Sequence, residues 1–178
     1  MKLTVISGKR WEPHHALIDL KEVTFFLLDG TAVTPKSLEI KIGEGDFTWS
    51  ETSNYDYLKN RGLLDQVRAG DQVPMEINFT FQYEYIKGTT GTAGVPTVED
   101  FLKKKNAAAA YVSTDSDTCA PYCVDIKLRN VPGCGENEEV TFPDFRYEKL
   151  DHNVKSSSIS CSGKCNAIEP NITRPASA

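Results

Sequence analysis

The sequence predicts a mainly β protein, an antiparallel β-sandwich or partial barrel with one flanking α-helix. Two stretches in which apolar and polar residues alternate favour strands, one between Leu38 and Ser50 and a longer one from Met75 to Tyr85. A single stretch, residues 97–111, places apolar residues at helical spacing. The 178 residues fit one domain, which we expect to span 1–168 and to be followed by a loose tail over 169–178.

The first alternating stretch predicts a β-hairpin over residues 37–52. Apolar and polar side chains alternate on both sides of a glycine-rich turn at residues 43–46. The second stretch, Met75 to Tyr85, is long for a strand, since about 5–6 residues is usual. At about 3.3 Å per residue it would extend about 36 Å, which suggests a wall or a barrel.

Residues 53–73, between these two stretches, are too long and too apolar for an ordinary connecting loop. One interpretation is a short helix packed on the body of the domain. The other, which we favour, is a protruding arm or stacking loop that buries its apolar residues against a neighbouring subunit. The arm residues would be Tyr55, Tyr57, Leu58, Leu63, Leu64 and Val67.

The predicted helix over 97–111 begins with a pattern close to a capping box. Thr97 follows Pro96, and Asp100 stands where a glutamate would complete the motif. The apolar stripe consists of Val98, Phe101, Leu102 and Ala109. Further strands are expected near 3–7, 23–28, 123–129, 140–142, 145–150 and 156–168.

Composition argues against nucleic-acid and membrane partners. The formal net charge is −5, and an acidic protein repels phosphate backbones. The longest basic run, residues 103–105, is interpreted as a solvated helix face. No apolar run approaches the ~20 residues of a membrane span. Residues 1–10 lack the apolar core of a secretory signal, so we expect the chain to fold in a cytoplasm.

Motifs typical of enzymes are absent from the sequence. There is no glycine-rich phosphate loop and no G-x-S-x-G nucleophile elbow. Adjacent His14 and His15 would point in opposite directions on an extended chain, and His152 is interpreted as a turn residue. We therefore expect no catalytic site, no cofactor and no metal centre, and predict that the protein is not an enzyme.

The five cysteines leave three interpretations open: reduced thiols, disulfides formed after release into oxidising surroundings, or a structural metal. In an extended strand Cys161 and Cys165 would lie about 13 Å apart, beyond the ~7 Å limit for a disulfide between them. We hypothesise a bridge from the 119–134 region to the 161–165 strand or to a neighbouring subunit. The disulfide candidates are Cys119, Cys123, Cys134, Cys161 and Cys165.

Several segments of the sequence resemble tail tube proteins of bacteriophages. The likeness covers about residues 38–168 and is carried by residues 40–49 (IKIGEGDFTW), 61–71 (RGLLDQVRAGD), 73–77 (VPMEI), 143–148 (PDFRYE) and 160–166 (SCSGKCN). Cysteines are not a general feature of such proteins, so their role stays open.

The resemblance implies a structural virion protein. Tail tube subunits are sandwich-like β folds with a flanking helix, and they form hexameric rings that stack. Strands from the six subunits close a continuous β-barrel around a channel for DNA, which removes the unpaired sheet edges. The implied location is the virion tail, after assembly in the host cytoplasm. The implied partners are copies of the chain itself, other tail proteins and, in a tail that has one, a sheath, with DNA passing through during ejection without tight binding.

Successive side chains of a strand point to opposite faces of the sheet, and this alternation then assigns the face that would line the channel. Apolar residues, Trp49 among them, would point into the subunit. The expected lumen-facing residues are Glu39, Lys41, Asp46, Thr48, Ser50, Glu76, Asn78, Thr80, Gln82 and Glu84. Four acidic residues and one basic residue give a net charge of −3 per subunit, an anionic wall past which DNA slides.

Two rival functions are kept open. One is a tail terminator, neck or baseplate ring protein of the same fold. The other is a monomeric β-sandwich module that stacks sugars on Trp49, Tyr55, Tyr57 and the tyrosines at 83 and 85. Parity places Trp49, Tyr83 and Tyr85 on the buried face, which disfavours the sugar-binding module.

Overall fold

The computed structural model describes residues 23–42, 46–83, 95–131 and 138–174. Within these ranges the chain forms ten strands and one α-helix. In chain order they are β1 (Val23–Leu28), β2 (Ser37–Ile40), β3 (Phe47–Ser50), β4 (Tyr55–Asn60), β5 (Leu63–Ala69), β6 (Glu76–Gln82), α1 (Val98–Lys103), β7 (Val124–Asn130), β8 (Glu138–Asn153), β9 (Ser158–Cys165) and β10 (Asn171–Thr173). The predicted strand at 3–7 lies outside the described residues.

Eight strands form one antiparallel sheet, which confirms the predicted mainly β class with a single helix. Its order is β2-β1-β7-β8-β9-β6-β3, and β10 pairs with β8 beside this path. The first part of β8 pairs with β7, whereas the part from Phe145 onward pairs with β9. Strand β8 is therefore shared by two halves of the sheet, which we call the β7 half and the β9 half.

The apolar faces of the two halves pack against each other. Phe25 of β1 and Phe47 of β3 belong to distant strands of the sheet order, yet their ring centroids are 4.8 Å apart. Phe47 also lies 5.4 Å from Phe142 of β8, and Phe79 of β6 lies 5.9 Å from Phe145. One cluster of buried apolar residues thus holds the two halves together. This agrees with the alternation in the sequence, which turns the apolar side chains of each strand inward and the polar ones outward.

The predicted hairpin over 37–52 is wrong in its pairing. Strand β2 pairs with β1, and strand β3 pairs with β6, at opposite ends of the sheet order. The physical reason is burial: Ile40 of β2 belongs to the shared core and Phe47 of β3 packs against it, and each strand reaches the core through a different partner strand. Residues 43–45, within the predicted turn, lie outside the described part of the chain.

Residues 55–69 form a separate two-stranded hairpin, β4–β5, so the alternative of a short helix here is wrong. Its turn is Arg61-Gly62, with φ of 50° and 87°. Two consecutive residues with positive φ give the tight turn that suits the twist of a hairpin. Every residue of β4 and β5 is exposed.

Helix α1 begins as predicted and ends early. The Thr97 side chain accepts from the Asp100 backbone N–H, with N and Oγ1 3.0 Å apart, and Asp100 accepts from Thr97 in return. Val98, Phe101 and Leu102 are buried as expected. The helix stops because Lys104 adopts a left-handed conformation, and a short 3₁₀ turn, 106–108, follows. The predicted extension to residue 111 is therefore wrong, and Ala109 is exposed.

Strand lengths also differ from the predictions. Strand β6 is seven residues long and ends at Gln82, and residues 84–85 lie outside the described chain. The longest strand is instead the sixteen-residue β8, which joins the two strands expected at 140–142 and 145–150. The tail predicted to be loose contains β10, and Arg174 forms an ion pair with Glu138 at 2.9 Å. Across the described residues, no helix has the length and apolar character required to cross a bilayer.

Candidate assembly surfaces

The β9 half of the sheet presents one continuous polar surface, which we call the polar face. Register places side chains of β3, β6, β9 and the end of β8 directly opposite one another on this surface. For example, Thr48 pairs with Asn78, Asn78 with Ser162, and Ser162 with Lys149. The polar face comprises Asp46, Thr48, Ser50, Glu76, Asn78, Thr80, Gln82, Arg146, Glu148, Lys149, Asp151, Asn153, Ser158, Ser160, Ser162 and Lys164.

Hydroxyl groups and paired charges dominate the polar face. Thr80 Oγ1 and Ser160 Oγ are 3.1 Å apart across β6 and β9. Lys164 Nζ lies 3.6 Å from a carboxylate oxygen of Glu76, and Lys149 Nζ lies 2.7 Å from Asp151. Each lysine of the face thus has a carboxylate partner, which leaves neither as an isolated cation toward a phosphate.

The lumen-facing residues predicted from parity come from both ends of the sheet order, and Glu39 and Lys41 line one pocket with Asp46 and Thr48. Glu39 and Lys41 are exposed but belong to the region of β2, at the other end of the sheet order from β3. The seven from Asp46 to Gln82 lie together on the polar face, and Glu84 lies outside the described residues. Sequence reasoning missed the contribution of β8 and β9, although the alternating serines at 158, 160 and 162 were a usable signal.

The described part of the polar face carries nearly balanced charges. Its acidic residues are Asp46, Glu76, Glu148 and Asp151, and its basic residues are Arg146, Lys149 and Lys164, so 3 minus 4 gives −1. The expected set carried −3 from four acidic residues and Lys41, but one of those acidic residues, Glu84, lies outside the described residues. The surface is therefore polar and weakly acidic.

Two strand edges of the β9 half lack a partner among the described residues. Strand β3 is the end strand of the sheet and pairs only with β6. At the other side, β8 beyond Tyr147 pairs with β9 but no longer with β7. An unpaired edge offers backbone N–H and C=O groups to another strand. In the described chain β2 and β3 do not pair with each other, although the Gln82 backbone N–H donates to the Lys41 carbonyl at 3.1 Å, so the chain just after β2 lies against the end of β6.

The exposed hairpin, Tyr55–Ala69, carries large apolar side chains on both faces. The register puts Tyr57 opposite Val67 and Lys59 opposite Leu64 on one face. On the other face, Asn60 lies opposite Leu63. Leu63 is 76% exposed and Leu64 is 69% exposed. All six residues predicted for the arm thus lie on this hairpin, with their side chains in solvent in the single chain.

Two aromatic residues expected on the buried face are exposed instead. Trp49 is 42% exposed and packs edge-on against Phe142 at 5.3 Å, while its indole N–H donates to Glu51. Tyr83 is 58% exposed, since it follows the last residue of the β6 ladder. Because both residues are exposed, the argument that they are buried no longer counts against a sugar-binding module. The ring contacts of Trp49 are nevertheless with core phenylalanines.

The cysteines within the described residues are free thiols, and none lies at disulfide distance from another. Cys119 is exposed, whereas Cys123, Cys161 and Cys165 are buried. Burial raises the pKa of Cys161 and of Cys165 to about 12. The hypothesised bridge is thus not formed among these four, and Cys134 lies outside the described residues.

Acidic side chains gather where β7 meets the bend of β8, but they have local partners. The Asp144 backbone N–H donates to Asp125 at 2.9 Å, and Thr114 donates to Asp144 at 2.8 Å. Burial, together with the charge of Asp144, raises the pKa of Asp125. Arg146 forms an ion pair with Asp115 at 2.6 Å. Among the described residues no group of histidine, cysteine or carboxylate side chains has the arrangement of a metal site.

Comparison with known proteins leaves the chain without an assigned family. No protein-family model matches the sequence, and no curated protein is significantly similar to it.

Proposed function

We propose that this chain is a structural subunit of a bacteriophage tail, which self-assembles into stacked rings that form the tail tube. The observation that carries the proposal is the polar face, a sheet surface backed by the apolar core and bounded on both sides by strand edges that have no partner among the described residues. Pairing the β3 edge of one copy with the β8 edge of the next would extend this surface from copy to copy. A ring of copies joined in this way leaves neither the β3 edge nor the β8 edge unpaired.

The chemistry of the polar face suits the wall of a DNA channel. Hydroxyl and amide groups keep the wall hydrated, and both lysines are held by carboxylates. DNA that must slide through would find no cluster of unpaired cations on this face, where counterion release could fix it in place. In the proposed tube the channel is weakly acidic, DNA passes without tight binding, and the tube resides in the virion tail after assembly in the host cytoplasm.

The exposed hairpin supports the proposal independently. An isolated two-stranded hairpin is marginally stable in water, so one that carries leucines and tyrosines in solvent needs a partner. Its six large apolar residues are between 42% and 76% exposed. Contact with another copy would bury them and would connect successive rings. Other tail proteins, including a sheath if the tail has one, would meet the outer surface and ends of the tube.

Negative-stain electron microscopy of the concentrated protein tests this function. We expect rings about one subunit high, or tubes built from them, and a sedimentation coefficient that rises with concentration. A uniform monomer at millimolar concentration would overturn the proposal. Rings that never stack would favour a terminator, neck or baseplate ring protein. A monomer that binds an oligosaccharide array would favour the sugar-binding module.

A further inference from the structure

The four strands of the β9 half alternate in direction. In the order β8, β9, β6, β3, each strand is antiparallel to its neighbour, so β3 runs opposite to β8. Rotation about the axis of a cyclic ring preserves the direction that each strand has along that axis. Where β3 of one copy meets β8 of the next, the two strands are therefore antiparallel, and the alternation continues across the junction.

Backbone hydrogen bonds identify which groups of β3 point away from the sheet. The Thr80 N–H of β6 donates to the Asp46 carbonyl at 3.1 Å. In an antiparallel ladder every second pair of residues is hydrogen-bonded, so Thr48 bonds to β6 as well. The N–H and C=O groups of Phe47 and Trp49, which lie on either side of Thr48, therefore face the open edge.

The same reasoning identifies the edge-facing groups of β8. The Cys165 N–H of β9 donates to the β6 side at 2.9 Å, so odd-numbered residues of β9 bond to β6 and even-numbered residues bond to β8. Ser160 is one of the even-numbered residues, and its partner on β8 is Asp151. The N–H and C=O groups of Leu150 and His152, which flank Asp151, therefore face the open edge.

On both edges, the residues with edge-facing backbone groups have their side chains on the side of the sheet that faces the core. Phe47 and Trp49 pair with buried residues of β6, and Leu150 and His152 pair with buried residues of β9. Opposed residues of neighbouring strands lie on the same face, so the two edges can bond without turning either sheet over. A mismatch of one residue would have put the polar face of one copy beside the core side of the next.

We propose that β3 of one copy pairs antiparallel with β8 of the next copy, with Trp49 opposite Leu150 and Phe47 opposite His152. Thr48 then lies opposite Asp151, and the polar face continues from copy to copy. The inference rests on the proposed function and gives its contact between subunits a direction and a register.

Charge and strand length favour this register over the two nearest registers that keep the faces matched. A shift of two residues in one direction puts Asp46 opposite Asp151, and like charges directly opposite each other destabilise a sheet. The opposite shift puts Phe47 opposite Val154, which lies beyond the last residue of β8. The proposed register avoids both.

Disulfide trapping on the polar face tests the register. Thr48→Cys and Asp151→Cys are made in separate chains, both in a background with Cys119→Ser and Cys134→Ser. In the proposed register these two positions form a non-hydrogen-bonded pair, whose Cα atoms lie about 4.5 Å apart, within the range for a disulfide. We expect mild oxidation of the mixed, assembled protein to give linked dimers, which neither variant gives alone.

The matched controls replace Asp151→Cys by Lys149→Cys or by Asn153→Cys, the neighbouring positions on the polar face of β8. Across the proposed junction these positions are diagonal to Thr48. Diagonal neighbours are about 7–8 Å apart, beyond the ~7 Å limit for a disulfide, so we expect at least about fivefold less linkage. Equal or greater linkage in either control would overturn the register.

Proline substitution provides a second test, which does not depend on cysteine geometry. Proline lacks an N–H and fits an edge strand where that N–H would face solvent. His152→Pro should leave the urea midpoint of the dilute monomer close to that of His152→Ala, but should raise the concentration needed for assembly at least about tenfold above that of His152→Ala. Asp151→Pro removes an N–H that faces β9, so it should lower the urea midpoint relative to Asp151→Ala. Equally efficient assembly of His152→Pro and His152→Ala would contradict the proposal.

Two further outcomes separate this inference from the proposed function. Rings or tubes whose copies link only through a control pair would refute the register and leave the function standing. Linkage of Thr48→Cys to itself in a dimer that grows no further would show that two β3 edges meet, which refutes both the register and the ring.

Discussion

Glu76 and Lys164 face each other directly across β6 and β9 at one end of the polar face, with the lysine Nζ 3.6 Å from a carboxylate oxygen. The two side chains are 55% and 41% exposed, so the ion pair contributes at most about 1 kcal/mol to folding. Its effect on the surface is larger than its effect on stability. In the proposed tube, this pair would cancel a positive charge on the channel wall.

Glu76→Lys should therefore leave the fold intact and make the polar face bind DNA. The substitution changes the charge of the face from −1 to +1 per copy, and a ring multiplies that change. We expect assembled rings of the variant to retain double-stranded DNA at 50 mM salt and to release it as salt increases. Electrophoretic mobility shift of the assembled fraction measures the retention.

Asp71→Lys is the control for this prediction. Asp71 is exposed and lies at the base of the hairpin, outside the polar face, and the substitution makes the same change in charge. Equal DNA retention by both variants would mean that total charge, and not the polar face, decides binding.

Gly163 of β9 is a position where the packing leaves no room for a side chain. A Cβ there would lie 2.2 Å from the backbone oxygen of Arg146 and 2.7 Å from the ring of Phe145. Gly163→Ala must displace the backbone of β8 or the phenylalanine ring, so we expect a loss of about 3 kcal/mol or more in the free energy of unfolding. Urea denaturation of the dilute monomer measures it.

Gly62→Ala provides the contrast for Gly163→Ala. Gly62 has φ of 87° but nothing within 4 Å of a Cβ, and it lies in the exposed hairpin. Strain of about 1 kcal/mol should loosen the hairpin turn without lowering the urea midpoint of the main sheet. A global loss equal to that of Gly163→Ala would mean that the hairpin and the sheet unfold as one unit.

Strands were predictable from the sequence where the alternation of apolar and polar residues is compatible with only one arrangement. In β6 the alternation correctly predicted which side chains are buried, namely Ile77, Phe79 and Phe81, and which polar ones lie between them on the other face. Only one register buries the apolar side chains, so no alternative was available. The partners of a strand were not predictable in the same way. Alternation in 37–52 is equally compatible with a local hairpin and with two strands in opposite halves of the sheet, and long-range packing of Phe47 decides between them.

The polar face was only partly predictable for the same reason. Seven of its residues follow from the parity of β3 and β6, but Lys149 and Lys164 join it through the register of β8 with β9. That register contains an irregularity between Tyr147 and Lys149, which changes the face on which later residues of β8 lie. No pattern within β8 alone indicates this change, so the compensating lysines were missed.

Asp29 should make the stability of the monomer depend on pH in the acid range. The residue is 3% exposed. Burial raises the pKa of Asp29, but hydrogen bonds from the side chain and backbone of Thr31 and from the backbone N–H groups of Lys36 and Val112 outweigh it and hold the pKa below its ordinary value. A lowered pKa in the folded state means that ionised Asp29 stabilises the fold.

That stabilisation is complete above the unfolded pKa of about 3.9 and is lost as pH falls through the lower folded pKa. Urea denaturation between pH 2.5 and 7 should therefore show a decline below about pH 4. Asp29→Asn should lose about 1–3 kcal/mol at pH 7, since an amide leaves some of these donors poorly matched, and its decline below pH 4 should be shallower. An unchanged pH profile in the variant would assign the acid sensitivity to other carboxylates.

The last prediction concerns thiol reactivity, which distinguishes reduced buried cysteines from a disulfide framework. Cys119 is exposed, while Cys161 and Cys165 are buried with pKa values of about 12, so only a minute fraction of either buried thiol is ionised at pH 8. Iodoacetamide at pH 8 should alkylate Cys119 within minutes in the native monomer. Cys161 and Cys165 should react only after urea is added, and peptide mass spectrometry reports each site separately. Residues that resist alkylation in urea until a reductant is added would be disulfide-bonded, and the assignment of free thiols would then be wrong.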